Sequence, residues 1–287
     1  MPRLSLTVLG LVVAASAAFA QQPVTQPQRP GGPKLDVDFE ATPPVVAKAM
    51  LDIANVGPDD TVMDLGCGEG DIANAAARLK GARAICLELD PLRIAKAREN
   101  AARLGVADRV SFIEGDLFQA DLTPATVVTL FLWDTINLKL RPKILDLAPG
   151  TRIVSHGHDM GDWRPDRTAW ANRQSKDGPS AVYLWIVPAK IAGAWTLTAE
   201  GETYTLDLTQ RYQQITGTAS AARFVARLRN ARLQGPILTF DLPRSKGPPL
   251  RIAGRVENDR IVPVAEDGAA PRGATPSLAF DLVRTKP

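Results

Sequence analysis

Between residues 43 and 190 the chain alternates two hydropathy patterns. Short, nearly continuous apolar runs occur at TVMDL (61–65), RAICLEL (83–89), RVSFIEG (109–115), TVVTLFL, TRIVSH (151–156) and AVYLWIVP (181–188). Their length and β-branched content predict buried strands. Between them, PVVAKAMLDIANV, DIANAAARLK (71–80) and PLRIAKARENAARLG (91–105) repeat apolar residues every three or four positions, the helical period. The last opens on proline and closes on glycine, as helices do. LKLRPKILDLAPG (138–150) also predicts a helix, with a break before Pro142 because proline lacks the amide a helix interior needs. Strands alternating with helices predict an α/β unit, a doubly wound, Rossmann-like parallel sheet with helices on both faces. Such sheets bind ligands at the carboxyl ends of their strands, near the switch in strand order.

From about residue 191 the period falls to two. GAWTLTAEG, TYTLDLTQ, PILTFDLP, LRIAGRVEN and LAFDLVR are alternating runs separated by Gly, Pro, Asn and Asp. They predict a small all-β domain, a barrel or a sandwich. Arg227 and Arg229 alternate with Ala226 and Leu228, which makes them a solvated strand face. No cluster of catalytic residue types falls in this half, so it reads as a stability or recognition module. At the other end, Arg3 precedes an apolar run from Leu4 to Phe19 and a small-x-small site at Ala18-Phe19-Ala20. The run is short and alanine-rich, which predicts a cleaved signal peptide, export to the periplasm and no transmembrane span after cleavage. The expected layout is a leader at 1–20, a Gln/Pro/Gly-rich flexible linker at 21–34, an α/β domain at 35–190 and a β domain at 191–287.

Charge and cysteine content narrow the chemistry. A formal charge of +3, from 34 basic and 31 acidic residues, is too small to argue for nucleic acid or an acidic membrane surface. Two cysteines (Cys67, Cys86) and two histidines (His156, His158) give no metal-ligand spacing. An exported protein can pair its cysteines. Here one lies in a glycine loop and the other inside an apolar strand, which predicts two buried free thiols.

The first strand runs into DLGCGEGD, where Gly66, Gly68 and Gly70 are spaced G-x-G-x-G. Glycines there permit unusual backbone angles and close approach of a ligand. The dinucleotide fingerprint requires glycine or alanine where Asp71 stands. Asp64, Glu69 and Asp71 also repel pyrophosphate and suit a cationic ligand. S-adenosyl-L-methionine fits, with a sulfonium, an amino group and no phosphate. Glu88 closes the second strand, where two carboxylate oxygens match the vicinal diol of a ribose. Asp116 follows the third strand and is placed to take the exocyclic amine of adenine, with Leu89 and Leu117 on either face of the ring. Each acid alone reads equally as a loop cap or solvated surface. Acids at three successive strand ends, with the three glycines, make a set.

These residues resemble class I S-adenosylmethionine-dependent methyltransferases over roughly residues 39 to 188. DLGCGEG is similar to that family's first motif, CLELD to its ribose-binding strand end and EGDLF to its adenine-contact segment. The resemblance places Asp64, Gly66, Gly68 and Gly70, with Cys67 inside the same loop, at the methionine end, Glu88 at the ribose and Asp116 at the adenine. FEATPPVVAKAML, NLKLRP (137–142), PGTRIVSHGHDMGDWRPD (149–166) and VYLWIVP are similar to a bacterial branch of the mitochondrial family that methylates lysine on an ATP synthase subunit. One departure is Phe39-Glu40-Ala41-Thr42-Pro43, where that family implies a Tyr-Val-Pro-Thr-Pro type segment. The β module lies outside the resemblance.

The resemblance implies methyl transfer to a protein lysine amine by in-line displacement. The acceptor groove is expected around Leu132-Trp133-Asp134-Thr135-Ile136-Asn137, which lacks an Asn-Pro-Pro-Tyr type motif for planar amides or adenine amines. Trp133 reads as the wall of an alkyl-ammonium channel or as a packed rim residue. Asn137 and Arg141 are expected to hold a loop through backbone carbonyls or a carboxylate. His156 and Asp159 end the fifth strand, and His156 is either a general base or a structural histidine. No catalytic residue is assigned. The alternative function is a non-catalytic exported binding protein that retains the fold; a nicotinamide-dependent oxidoreductase is disfavoured by Asp71.

Overall fold

A computed structural model describes residues 25–26, 38–172, 178–222, 224–265 and 278–285. The expected leader lies outside the described residues, as does the expected linker apart from Thr25–Gln26. That pair forms β1 (Thr25–Gln26), antiparallel to β2 (Phe39–Glu40). The α/β unit then runs α1 (Pro44–Ile53), β3 (Thr61–Leu65), α2 (Asp71–Lys80), β4 (Arg83–Glu88), α3 (Pro91–Arg103), β5 (Val110–Glu114), β6 (Val127–Leu130), α4 (Asp134–Leu145), β7 (Arg152–His156), β8 (Arg167–Ala171) and β9 (Ser180–Ile186). The sheet order is β5-β4-β3-β6-β7-β9-β8. Strand order reverses between β3 and β6, which opens a crevice at their carboxyl ends.

Alternate strand residues feed two cores. Val62, Cys86, Val127 and Val154 face one side, against alanines of α2 and α3 (Ala73, Ala76, Ala97, Ala101) whose small side chains let the helices sit close. Met63, Leu65, Leu87, Val128 and Ile153 face the other, against Ile136, Leu140 and Ile144 of α4.

The fold differs from expectation in four places. The sheet is mixed: β3 to β7 are parallel, but β9 runs antiparallel to β7 and β8 antiparallel to β9. Among the described residues no helix separates β7 from these two. β8 escapes the hydropathy pattern because it is an edge strand that buries only Ala171. Helix α4 begins at Asp134 and runs through Pro142 without a break. Pro142 sits in the last turn, and the carbonyl it leaves unserved belongs to Leu138, on the exposed side of the helix (40% exposed), where the missing bond costs little.

The cysteines are the fourth correction. Cys67 and Cys86 form a disulfide with Cα atoms 5.3 Å apart, and no described cysteine is free. Parallel register sets Leu65 beside Leu87. Gly66, at φ +70°, then turns the chain over β4, and the amides of Gly66 and Cys67 both donate to the Leu87 carbonyl (2.9 and 3.1 Å). Cys67 is thereby laid against Cys86, one residue before Leu87.

The remaining strands are β10 (Gly193–Ala199), β11 (Glu202–Arg211), β12 (Gln214–Ala221), β13 (Phe224–Arg227), β14 (Arg229–Gln234), β15 (Ile237–Leu242), β16 (Leu250–Glu257), β17 (Arg260–Pro263) and β18 (Phe280–Arg284). They form an all-antiparallel sheet in the order β13-β12-β11-β10-β18-β17-β16-β15-β14. Its first and last strands, β13 and β14, are separated only by Leu228, so the sheet curls into a nearly closed barrel, and the Leu228 amide extends the β12–β13 ladder by bonding the Gly217 carbonyl (2.9 Å). Inward residues alternate with outward ones: Tyr204, Leu206 and Leu208 join Trp195, Phe240 and Leu282 inside, while Thr205 and Asp207 face water. No helix among the described residues is long and apolar enough to cross a membrane.

Candidate functional site

A cleft opens at the carboxyl ends of β3, β4 and β6, at the switch in strand order. Of the nine residues singled out in the sequence, seven line it: Asp64, Gly66, Cys67, Glu88, Leu89, Asp116 and Leu117. Gly68 and Gly70 do not. They shape the loop from behind. Gly68 is left-handed (φ +54°), and a β-carbon on it would overlap the Phe39 ring. Gly70 (φ +86°) begins α2, and a β-carbon there would fall 2.8 Å from Asn74 Nδ2.

The carboxylates differ in how much of their capacity the fold already uses. Glu88 accepts from three backbone amides, Gly68 on Oε2 (2.9 Å) and Leu89 and Asp90 on Oε1 (2.9 and 3.0 Å). One lone-pair site on Oε2 remains. Asp116 caps its own turn, Oδ1 accepting from the Phe118 amide (2.8 Å), and is otherwise exposed. Asp71 accepts from the Thr42 amide (2.9 Å), and burial, with Glu69 nearby, raises its pKa. Asp64 is 2% exposed. Burial raises its pKa to about 7 even though Thr129 Oγ1 donates to it at 2.7 Å, and Asp71 and Glu88 add repulsion.

Four loop amides are spent internally: Gly66 and Cys67 on the Leu87 carbonyl, Gly68 on Glu88 and Gly70 on the Cys67 carbonyl. Those four amides are not available to cradle a phosphate. Carboxylates outnumber the one guanidinium, Arg93, in the lining. A ligand with a sulfonium, an ammonium and a sugar diol fits this donor set; a pyrophosphate does not.

Sequence reasoning missed part of the wall. Asp38, Glu40, Arg93 and Phe131 also line the cavity, and Phe39, noted only as a departure, covers the glycine loop. The Arg93 guanidinium lies 3.9 Å from the Phe39 ring centroid. No motif announces this pair, because β2 and α3 meet only in the folded chain.

Beyond Phe131 the rim turns aromatic and acidic. The Phe131 ring packs on His156 (4.1 Å) and lies 6.4 Å from His158, whose ring meets Trp133 edge-on at 5.0 Å. Trp133 is 55% exposed, whereas His156 is buried. Asp134 accepts from the Asp159 amide (2.8 Å) and lies 3.4 Å from His158 Nδ1. Asn137 and Arg141 hold the following loop as expected, by the carbonyls of His158 and Asp159 (both 3.3 Å), of Met160 (2.7 Å), and the Asp162 carboxylate (2.5 Å). Among the described residues no group of three or more His, Cys, Asp or Glu is arranged to hold a metal.

Comparisons with known proteins meet at this half of the chain. The family model of the ANTKMT methyltransferase domain matches residues 64–167. A protein-lysine N-methyltransferase of Saccharolobus islandicus is 39% identical over 155 residues, covering 53% of this chain and 94% of that protein. A ribosomal protein L11 methyltransferase of Pelotomaculum thermopropionicum is 36% identical over 107 residues, which is 33% of its own length. Among solved structures, an RNA methyltransferase of Salinibacter ruber in complex with S-adenosyl-L-homocysteine is 48% identical, with a TM-score of 0.49, over 53% of this chain and 95% of that one.

Proposed function

We propose, from the premise that this chain belongs to the class I S-adenosylmethionine-dependent methyltransferases in the family of the ANTKMT methyltransferase domain, that it methylates lysine side chains of a partner protein. S-adenosylmethionine is the cofactor and supplies an electrophilic methyl group on a positively charged sulfur. The protein's part is alignment and exclusion of water.

The observation that carries the lysine reading is the rim. An exposed Trp133 ring beside His158, with Asp134 and Asp159 next to it, suits a long alkyl chain ending in an ammonium. The apolar walls Phe131, Leu132 and Ile136 then desolvate that ammonium, which favours loss of its proton. The 39% identity to a protein-lysine methyltransferase supports the same acceptor. Inside the cavity we assign Asp64 and Asp71 to the cofactor's ammonium, with Gly66 and Cys67 beside them and Gly68 and Gly70 shaping the loop. The open site on Glu88 takes a ribose hydroxyl, the free Oδ2 of Asp116 the adenine amine, and Leu89 and Leu117 the ring faces. We also assign the protein to the periplasm, exported by residues 1–20. The Cys67–Cys86 disulfide supports that placement, since disulfides persist in oxidising compartments.

The test uses tritiated S-adenosylmethionine with a cell-envelope extract. Label that survives nuclease, is removed by protease and maps to lysines as 14-dalton increments is the expected result. Label removed by nuclease refutes the lysine reading. Failure to bind S-adenosylhomocysteine more tightly than about 1 mM favours the non-catalytic binding protein.

A further inference from the structure

The loop that carries His158 is held at both ends, and its far end is held by the β barrel. Near α4, the Asn137 amide and Asp134 carboxylate fix His158 and Asp159. At the far end, Asp162 accepts from three donors: Arg141 of α4 (2.5 Å), Arg211 at the end of β11 (2.7 Å) and Tyr212 in the turn from β11 to β12 (3.1 Å). Arg211, then Tyr212 and Arg141, hold the Asp162 carboxyl down to about 2, so it stays ionised at any working pH. The same turn grips the next residues. Gln213 Oε1 accepts from the Trp163 indole (3.0 Å) and Gln213 Nε2 donates to the Arg164 carbonyl (2.7 Å). The Trp163 ring is fully buried between Tyr212 and Trp185, at 5.9 and 6.0 Å.

Little slack separates the two ends. Only Met160 and Gly161 lie between Asp159 and Asp162. Met160 is fully buried, and Gly161 is left-handed (φ +65°) with space for a β-carbon only 2.9 Å from Leu138. This short span is the physical route by which a shift at Asp162 and Trp163 can reach His158 and its edge-on contact with Trp133. The gripping turn lies outside residues 64–167, the stretch the family model covers.

We propose that Arg211, Tyr212 and Gln213 are positioning residues for methyl transfer: the barrel latches the 157–164 loop and so sets the acceptor rim, while cofactor binding is left alone. This rests on the acceptor face assigned above, and the experiment separates the two. The full chain is compared with Tyr212→Phe, Gln213→Ala and the double variant. Expected are S-adenosylhomocysteine affinity within about twofold of wild type and hydrogen exchange of amides 157–163 faster by about tenfold or more in the double variant. With tritiated S-adenosylmethionine and Nα-acetyl-lysine-N-methylamide as probe acceptor, KM rises about fivefold or more while kcat changes less than about twofold. Tyr212→Phe, which keeps the ring, shows the smaller change. Unchanged exchange overturns the latch whatever transfer does, and faster exchange with an unmoved KM overturns its role in acceptor capture. If wild type transfers nothing to this single residue, the KM comparison is made on the lysine-labelled protein of the envelope extract, absence of lysine label in that extract removes the lysine reading, and the exchange arm decides the latch independently.

Discussion

Asp64 gives the cavity a pH dependence that can be worked out from its surroundings. The carboxyl is buried, and its pKa of about 7 reflects that burial first, opposed by the Thr129 hydroxyl and increased by Asp71 and Glu88. An ammonium group binds the ionised form. With a pKa of about 7, roughly a tenth of the protein carries the charge at pH 6 and roughly three-quarters at pH 7.5, so affinity for S-adenosylhomocysteine should rise about eightfold across that interval. Titration calorimetry in two buffers of different ionisation enthalpy reads both quantities, because binding at pH 6 must also release close to one proton. Asp64→Asn should bind weakly and without the pH slope. Thr129→Val, which removes the one side-chain bond that favours ionisation, should move the midpoint upward. Neither His156 nor His158 lines the cavity, so His158→Gln should keep the slope. An affinity constant to within about twofold from pH 6 to 7.5, with no proton release, would refute the assignment of Asp64 to the ammonium.

Three further outcomes are expected. A carboxyl raised in the folded state contributes stability that is present below the unfolded pKa and is lost as pH climbs through the folded one. Asp64 therefore costs the empty protein up to about 4 kcal/mol between about pH 4 and pH 8, and Asp64→Asn should melt higher than wild type at pH 8 while losing cofactor, as calorimetry would show. Breaking the Cys67–Cys86 link, whose residues are 19 apart in sequence, should cost about 3 kcal/mol in urea unfolding of Cys86→Ser; an unchanged midpoint would mean the bridge is absent in solution. Gly68→Arg must displace Phe39 and adopt a left-handed backbone at about 1–2 kcal/mol, so cofactor binding should vanish while barrel amides keep their hydrogen-exchange protection. Normal binding by that variant would place the site elsewhere.

The α/β core is legible in the chain because each element there has a one-dimensional signature. β3 and α2 begin and end where TVMDL and DIANAAARLK do, since a fully buried strand and an alanine-rich helix each leave an unbroken pattern. Strand direction leaves none. Ser180–Ile186 is as apolar as a parallel strand would be, and only the missing helix after β7 shows that it runs the other way. β8 is invisible for a different reason: an edge strand buried at one residue has no period to detect. Barrel closure is likewise a property of the whole strand order, whose two ends, β13 and β14, are joined through Leu228, and no single run contains it.

The site divides along the same line. Asp64, Glu88 and Asp116 lie at or just past the carboxyl ends of successive strands, so knowing the strands is enough to bring them together, as the cavity lining does. Phe39, Arg93 and the β11–β12 turn reach their places through contacts between distant segments, which composition does not encode. The disulfide lies between these cases. Burial of both thiols could not decide it, because a buried half-cystine and a buried free thiol look alike in hydropathy. Register could. Once β3 and β4 are parallel neighbours with Leu65 beside Leu87, a glycine turn that spends two amides on the Leu87 carbonyl has to bring Cys67 over the strand that holds Cys86. The same turn places Glu88 under the Gly68 amide, so the bridge and the carboxylate both clamp the glycine loop onto β4 from either side of one carbonyl.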